Sequence, residues 1–116
     1  MIGYVTLGTN DLARGAAFYD AVCGALGQAR FMEWPGAISW GTAGGGAGLG
    51  LTPPFDKQTA TVGNGGMVAL ECDSPAQVRT VYEIALANGG TDAGPPGPRG
   101  DGFYAAYFRD PDGNKL

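Results

Sequence analysis

No histidine occurs anywhere in the 116 residues, and only two cysteines, Cys23 and Cys72. The missing imidazoles remove the commonest side-chain metal ligand and the usual general base of catalytic constellations. Two cysteines inside predicted regular elements make no disulfide framework, and each reads as a small buried hydrophobe. Basic residues are also scarce. Seven lysines and arginines stand against eleven acids, giving a net charge of −4 and a pI near 4.4. Nucleic-acid binding rests on clustered Lys and Arg, so scattered cations in an acidic chain exclude that class, and nothing draws the chain to an anionic membrane surface. No apolar run reaches the roughly 18–20 residues of a membrane span. The N-terminus has no basic region leading into an apolar core, and the expected location is cytoplasmic.

What the chain has in excess is glycine, 22 residues, with eight prolines. Such a composition predicts short strands and many turns within a single globular domain spanning 1–116. Shifting the sequence by 63 positions lays residues 4–27 on residues 67–90 without a gap, and Val5, Leu7, Ala13, Tyr19 and Gly27 meet their own kind at Val68, Leu70, Ala76, Tyr82 and Gly90. Each copy carries an alternating strand, a polar cap, an amphipathic helix and a terminal glycine. Asn10 or Asp11 caps the first helix. Ser74, Pro75 and Gln77 sign the start of the second. Strand-like stretches follow each helix, so both halves, about 1–54 and 64–116, read β-α-β-β-β. The predicted class is α+β: two tandem modules forming a curled mixed sheet around a cleft.

Strand alternation assigns the faces. Val5 and Leu7 suit the helix side, which sends Tyr4 and Thr6 to the other; Val68, Leu70 and Cys72 likewise leave Met67, Ala69 and Glu71 facing away. Leu49 and Leu51 pack inward and leave Gly48, Gly50 and Thr52 outward. The helix-free face is small, mixed and partly polar, which suits a ligand cavity. Trp40 and Tyr104 are chosen as its aromatic walls. Arg99, the one cation in the loop GPPGPRGDG (94–102), is a candidate anchor for an anionic group. The run GGGAGLG (44–50) is followed by a strand rather than a helix, which makes it a hairpin and not a phosphate loop. The stretch DPDGN (110–114) lacks the remaining ligands of a calcium loop and reads as a turn.

The stretches YVTLGTNDLARGAAFYDAVCGALG, MVALECDSPAQV, ALANGGTDAGPPGPRGDGFYAAYF and RDPDGNKL together resemble the vicinal oxygen chelate superfamily, the glyoxalase, bleomycin-resistance and extradiol-dioxygenase group. The resemblance implies paired modules around a cleft, often completed in a homodimer. In metal-dependent members it implies a divalent ion held from four strands. A histidine commonly stands where this chain has Tyr4, another where it has Met67, a carboxylate at Gly50, and a glutamate directly after the position of Leu116. A thioether, a neutral phenol and a glycine are poor ligands or none, so no metal and no other cofactor are expected. The resulting expectation is a metal-free homodimer that binds a small organic molecule through Tyr4, Thr6, Trp40, Gly50, Met67, Arg99 and Tyr104. The alternative is an enzyme of the same superfamily, a lyase, isomerase or dioxygenase. It would use a rebuilt metal site, or Glu71 as general base with Tyr4 as hydrogen-bond donor. A short last strand ending at Leu116 leads to one of two expectations, further residues beyond it or a partner covering an exposed edge.

Overall fold

Asp11 starts the first helix. Its carboxylate accepts the Arg14 N–H at 3.0 Å, satisfying one of the free donors of the first turn. The computed structural model describes all residues, Met1–Leu116. Along the chain run β1 (Tyr4–Gly8), α1 (Leu12–Ala25), β2 (Ala29–Trp34), β3 (Ala37–Thr42), β4 (Gly45–Thr52), α2 (Pro75–Ala87), β5 (Thr91–Pro98) and β6 (Tyr104–Arg109). Ser74 caps α2 by accepting from Gln77 N, and the Gln77 side chain reaches back to the Asp73 N–H at 2.6 Å. No helix is long and apolar enough to cross a membrane.

The first module forms a four-stranded sheet in the order β1-β4-β3-β2, with β1 parallel to β4 and the other pairs antiparallel. Val5, Leu49 and Trp40 share one register line, and Leu7, Leu51 and Ile38 the next; all of them turn towards α1. The alternation read from the sequence for β1 and β4 holds. α1 packs on this sheet, α2 packs on the β5-β6 pair, and the two helices pack on each other. The order of layers is therefore sheet, helices, sheet. Phe18 explains the tightness of the middle. It is fully buried, lies edge-on to Tyr19 at 5.0 Å and to Phe108 of β6 at 6.1 Å, and so joins the first helix to the second sheet. Helical spacing in the sequence predicts the stripe Leu12, Ala16, Tyr19, Val22, Cys23 and Leu26 for α1, without Phe18; a helix buried on two sides carries a wider apolar face than one sheet requires.

The second module departs from a plain copy of the first. Residues 67–72, expected as a strand, run without ladder pairing. A single bond, Val68 N–H to Lys115 O at 3.1 Å, stands where five paired positions join β1 to β4. The last residues meet β6 through an isolated bridge, Arg109 to Lys115, and through the Phe108–Leu116 backbone pair. β5 is longer than expected, because Pro95, Pro96 and Pro98 are incorporated in an edge strand with two register shifts, a setting in which missing N–H donors cost little.

A buried polar knot ties the halves. Asp110, 3% exposed, accepts from the Tyr19 hydroxyl at 2.7 Å, from the Asp112 and Asn114 N–H groups at 2.9 Å and from Asn114 Nδ2 at 2.8 Å. Asp112 accepts from Thr9 Oγ1, the Asn10 N–H and Arg14 Nη2. Asn114 Nδ2 also donates to Gly8 O. The DPDGN turn is thus a clamp on the end of β1. Burial, and then the neighbouring Asp110 carboxylate, pushes the Tyr19 phenol far above its ordinary value, so it stays protonated as a donor.

Candidate functional site

The face of the first sheet turned away from α1 is a hollow of about 610 Å³. Its floor is backbone. Gly48 and Gly50 lie on β4, with Ser39 and Thr6 as the register partners of Gly50 on β3 and β1. A side-chain carbon at Gly50 would stand 3.4 Å from Ser39 Oγ and 3.5 Å from Thr6 Oγ1, so the glycine leaves open the space between two hydroxyls. Tyr4 on β1 forms one wall. It is 76% exposed, with its ring free of the core.

The opposite wall comes from β2, and strict alternation does not predict it. Arg30 pairs with Trp40 and Met32 with Ser39, leaving Phe31 as an extra residue in a bulge. Arg30 consequently points to the helix side, where its guanidinium grips Asp20 at 2.6 and 2.8 Å, while Phe31 and Met32 both line the hollow. The Phe31 ring lies 3.3–3.6 Å from where side-chain carbons on Gly41 and Gly48 would be, resting on bare backbone. Trp34, about half exposed, continues this wall. No Asp, Glu, Lys, Arg or Cys lines the hollow; its polar groups are hydroxyls and backbone.

Of the residues singled out from the sequence, Tyr4, Thr6 and Gly50 come together here. Trp40 and Tyr104 do not, and both are corrected. Trp40 is 2% exposed under α1, with its ring 5.5 Å from Tyr19 and its Nε1 donating to Asp20 at 2.8 Å. The same Asp20 carboxylate is held below its usual value, first by the Arg30 hydrogen bonds and then by Trp40. Tyr104 takes a hydrogen bond from Arg79 of α2 at 3.2 Å and so lies on the helix side of β6. The signal was present: Ile38 and Trp40 alternate with Ser39 and Gly41, and Tyr104 shares its parity with the buried Phe108.

Met67 and Glu71 belong to a different region of the surface. One space they border lies against Val5, Cys23, Leu26 and the β3-β4 hairpin, the other against α2 and β6, and neither residue lines the hollow with Tyr4. Arg99 folds onto its own loop, donating to Pro95 O and Pro98 O with its guanidinium 5.5 Å from the Tyr107 ring centroid. It is engaged there, away from the hollow. Neither cysteine offers a ready nucleophile. Burial pushes the Cys23 thiol up to about 12, and burial followed by Asp73 raises that of Cys72.

The residues do not fit a divalent ion. Tyr4 offers a phenol, Gly50 nothing, and Met67 lies elsewhere. No group of three or more His, Cys, Asp or Glu side chains converges anywhere in the chain. The arrangement can stack, hydrogen-bond and exclude water, and no metal-dependent step is available to it from these side chains.

Comparison with known proteins agrees with this architecture. No protein of curated function matches the chain. A crystal structure of a glyoxalase/bleomycin resistance protein from Albidiferax ferrireducens T118 is 39% identical, covers 99% of this chain and 93% of its own, and superposes with a TM-score of 0.92. A glyoxalase-related enzyme from Fulvimarina pelagi shares 24% identity, with 99% and 84% coverage and a TM-score of 0.78. The lactoylglutathione lyase of Agrobacterium tumefaciens shares 23%, with 99% and 89% coverage and a TM-score of 0.72. The last two likenesses show the fold alone. The family model for the Glyoxalase/Bleomycin resistance protein/Dioxygenase superfamily matches residues 1–116, and the chain belongs to that superfamily.

Proposed function

We propose that this protein binds a small organic molecule in the hollow on the β1-β4-β3-β2 sheet, as a homodimer and without a divalent ion. The observation that carries the reading is the hollow itself. It has the size of a small-molecule site, 610 Å³, with aromatic walls, a glycine floor and hydroxyls, yet no side chain suited to a metal. The layering supports the dimer. With both helices in the middle, Tyr4, Phe31, Met32 and Trp34 face outward as one apolar patch, and such patches mark binding or association surfaces. A second copy seated over this face would close the hollow and remove bound ligand from water.

Two measurements test the reading. Light scattering should return twice the 11.8 kDa chain mass at micromolar concentration; a clean monomer at high concentration overturns the dimer. Ligand-observed NMR against a library of small ring compounds should find binders whose signals are unchanged by excess chelator. Binding that disappears with chelator and returns with added metal overturns the metal-free reading.

A further inference from the structure

Resting on the reading that the hollow is the ligand site, we infer that its ligand is an uncharged, flat ring system carrying one hydrogen-bonding substituent. Charge decides the first part. The protein has 18 formally charged side chains, and none of them lines this hollow. A carboxylate, phosphate or ammonium placed there would give up hydration with no counter-charge from the hollow's own lining to replace it, whereas a neutral molecule would not.

Shape decides the second part. Tyr4 stands on β1 and Phe31 on β2, the two outer strands, with β4 and β3 between them. Three strand spacings separate the two backbones by about 14 Å, and the Phe31 side chain leans back across β3 to reach Gly48, the register partner of Tyr4. The part of the floor left open is Gly50 and Ser39, because the Phe31 ring already rests over Gly48. A planar molecule can rest on this open part with its edges against aromatic rings, the offset and edge-on contacts such rings favour.

The floor decides the third. Ser39 Oγ and Thr6 Oγ1 lie 3.4 and 3.5 Å from the point that a Gly50 side-chain carbon would occupy. A hydroxyl or carbonyl oxygen of the ligand standing near that point comes within reach of both, accepting from one hydroxyl while the second can donate or accept. A ring bearing such a group therefore has a defined orientation in an otherwise apolar trough.

The test is a matched trio on one scaffold: 2-naphthol, neutral at pH 7, against 2-naphthoate and 2-naphthylmethylammonium, titrated calorimetrically into the intact protein in buffer with chelator. The neutral member should bind at least tenfold more tightly than either charged one. Gly50→Val should abolish its binding by filling the floor. Ser39→Ala, which adds no volume and leaves the fold undisturbed, should weaken it several-fold. A charged member bound as tightly as 2-naphthol and lost in Gly50→Val overturns the ligand class and leaves the site reading standing. The absence of binding by all three also overturns the ligand class. Tight binding of 2-naphthol that survives both Gly50→Val and Ser39→Ala places the ligand elsewhere and overturns the site reading with it.

Discussion

Trp40→Ala is expected to destabilise the protein by about 3–5 kcal/mol, whereas Trp34→Ala, six residues earlier, should change stability by less than about 0.5 kcal/mol. The contrast follows from where β2 and β3 send the two indoles. Trp40 is buried at 2% exposure against Tyr19 and donates to Asp20, so its removal leaves a void and strips a hydrogen bond from a carboxylate already held by Arg30. Trp34 is 54% exposed on the rim of the hollow and supports no core contact of that kind. Its loss should appear in ligand affinity instead, since an exposed aromatic wall contributes stacking to the bound molecule. Urea titration of both variants measures the first effect and calorimetry the second. Equal stability losses in the two variants would contradict the assignment of faces on which the site depends.

Asp110→Ala is expected to cost about 3 kcal/mol or more. Its carboxylate accepts from Tyr19, from two backbone N–H groups and from Asn114, and the substitution leaves those donors facing a small apolar gap. Buried donors without partners cost about 1–3 kcal/mol each unless water reaches them. The damage should extend beyond the turn. Asp112 and Asn114, ordered by Asp110, hold Thr9, Asn10, Arg14 and Gly8 at the end of β1, and β1 supplies Tyr4 and Thr6 to the hollow. Asp110→Asn, which keeps one acceptor oxygen, should lose less. A denaturation midpoint for Asp110→Ala within the error of the unaltered protein would mean that the knot is not what joins the halves.

How much of this was readable in the residues depends on the device at each position. The two helices and their caps were legible because Asp11, Ser74 and Gln77 act through local hydrogen bonds that spacing alone defines. The faces of β1 and β4 were legible because Val5, Leu7, Leu49 and Leu51 alternate with small or polar residues. The β2 wall was not. A bulge at Phe31 reverses the parity of everything after it, and no feature of ARFMEW marks where the extra residue falls. Phe18 was missed because its burial depends on α2 and β6 packing against α1, a contact between modules that neither half encodes alone. The placing of Met67 and Glu71 away from Tyr4 has the same origin. The repeat predicts equivalent positions in two modules, but whether equivalent faces meet within one chain depends on how the modules pack, and here the helices lie between the sheets.

The divalent ion that the family resemblance implies and the residues standing at its expected positions, Tyr4, Gly50 and Met67, point in opposite directions. Elemental analysis of protein purified without chelator and exchanged into metal-free buffer addresses that disagreement directly. The account predicts only trace, substoichiometric zinc, nickel, iron or manganese, with ligand binding unchanged when any of these is added. One equivalent of a divalent ion per chain, retained through dialysis and required for binding, would contradict it.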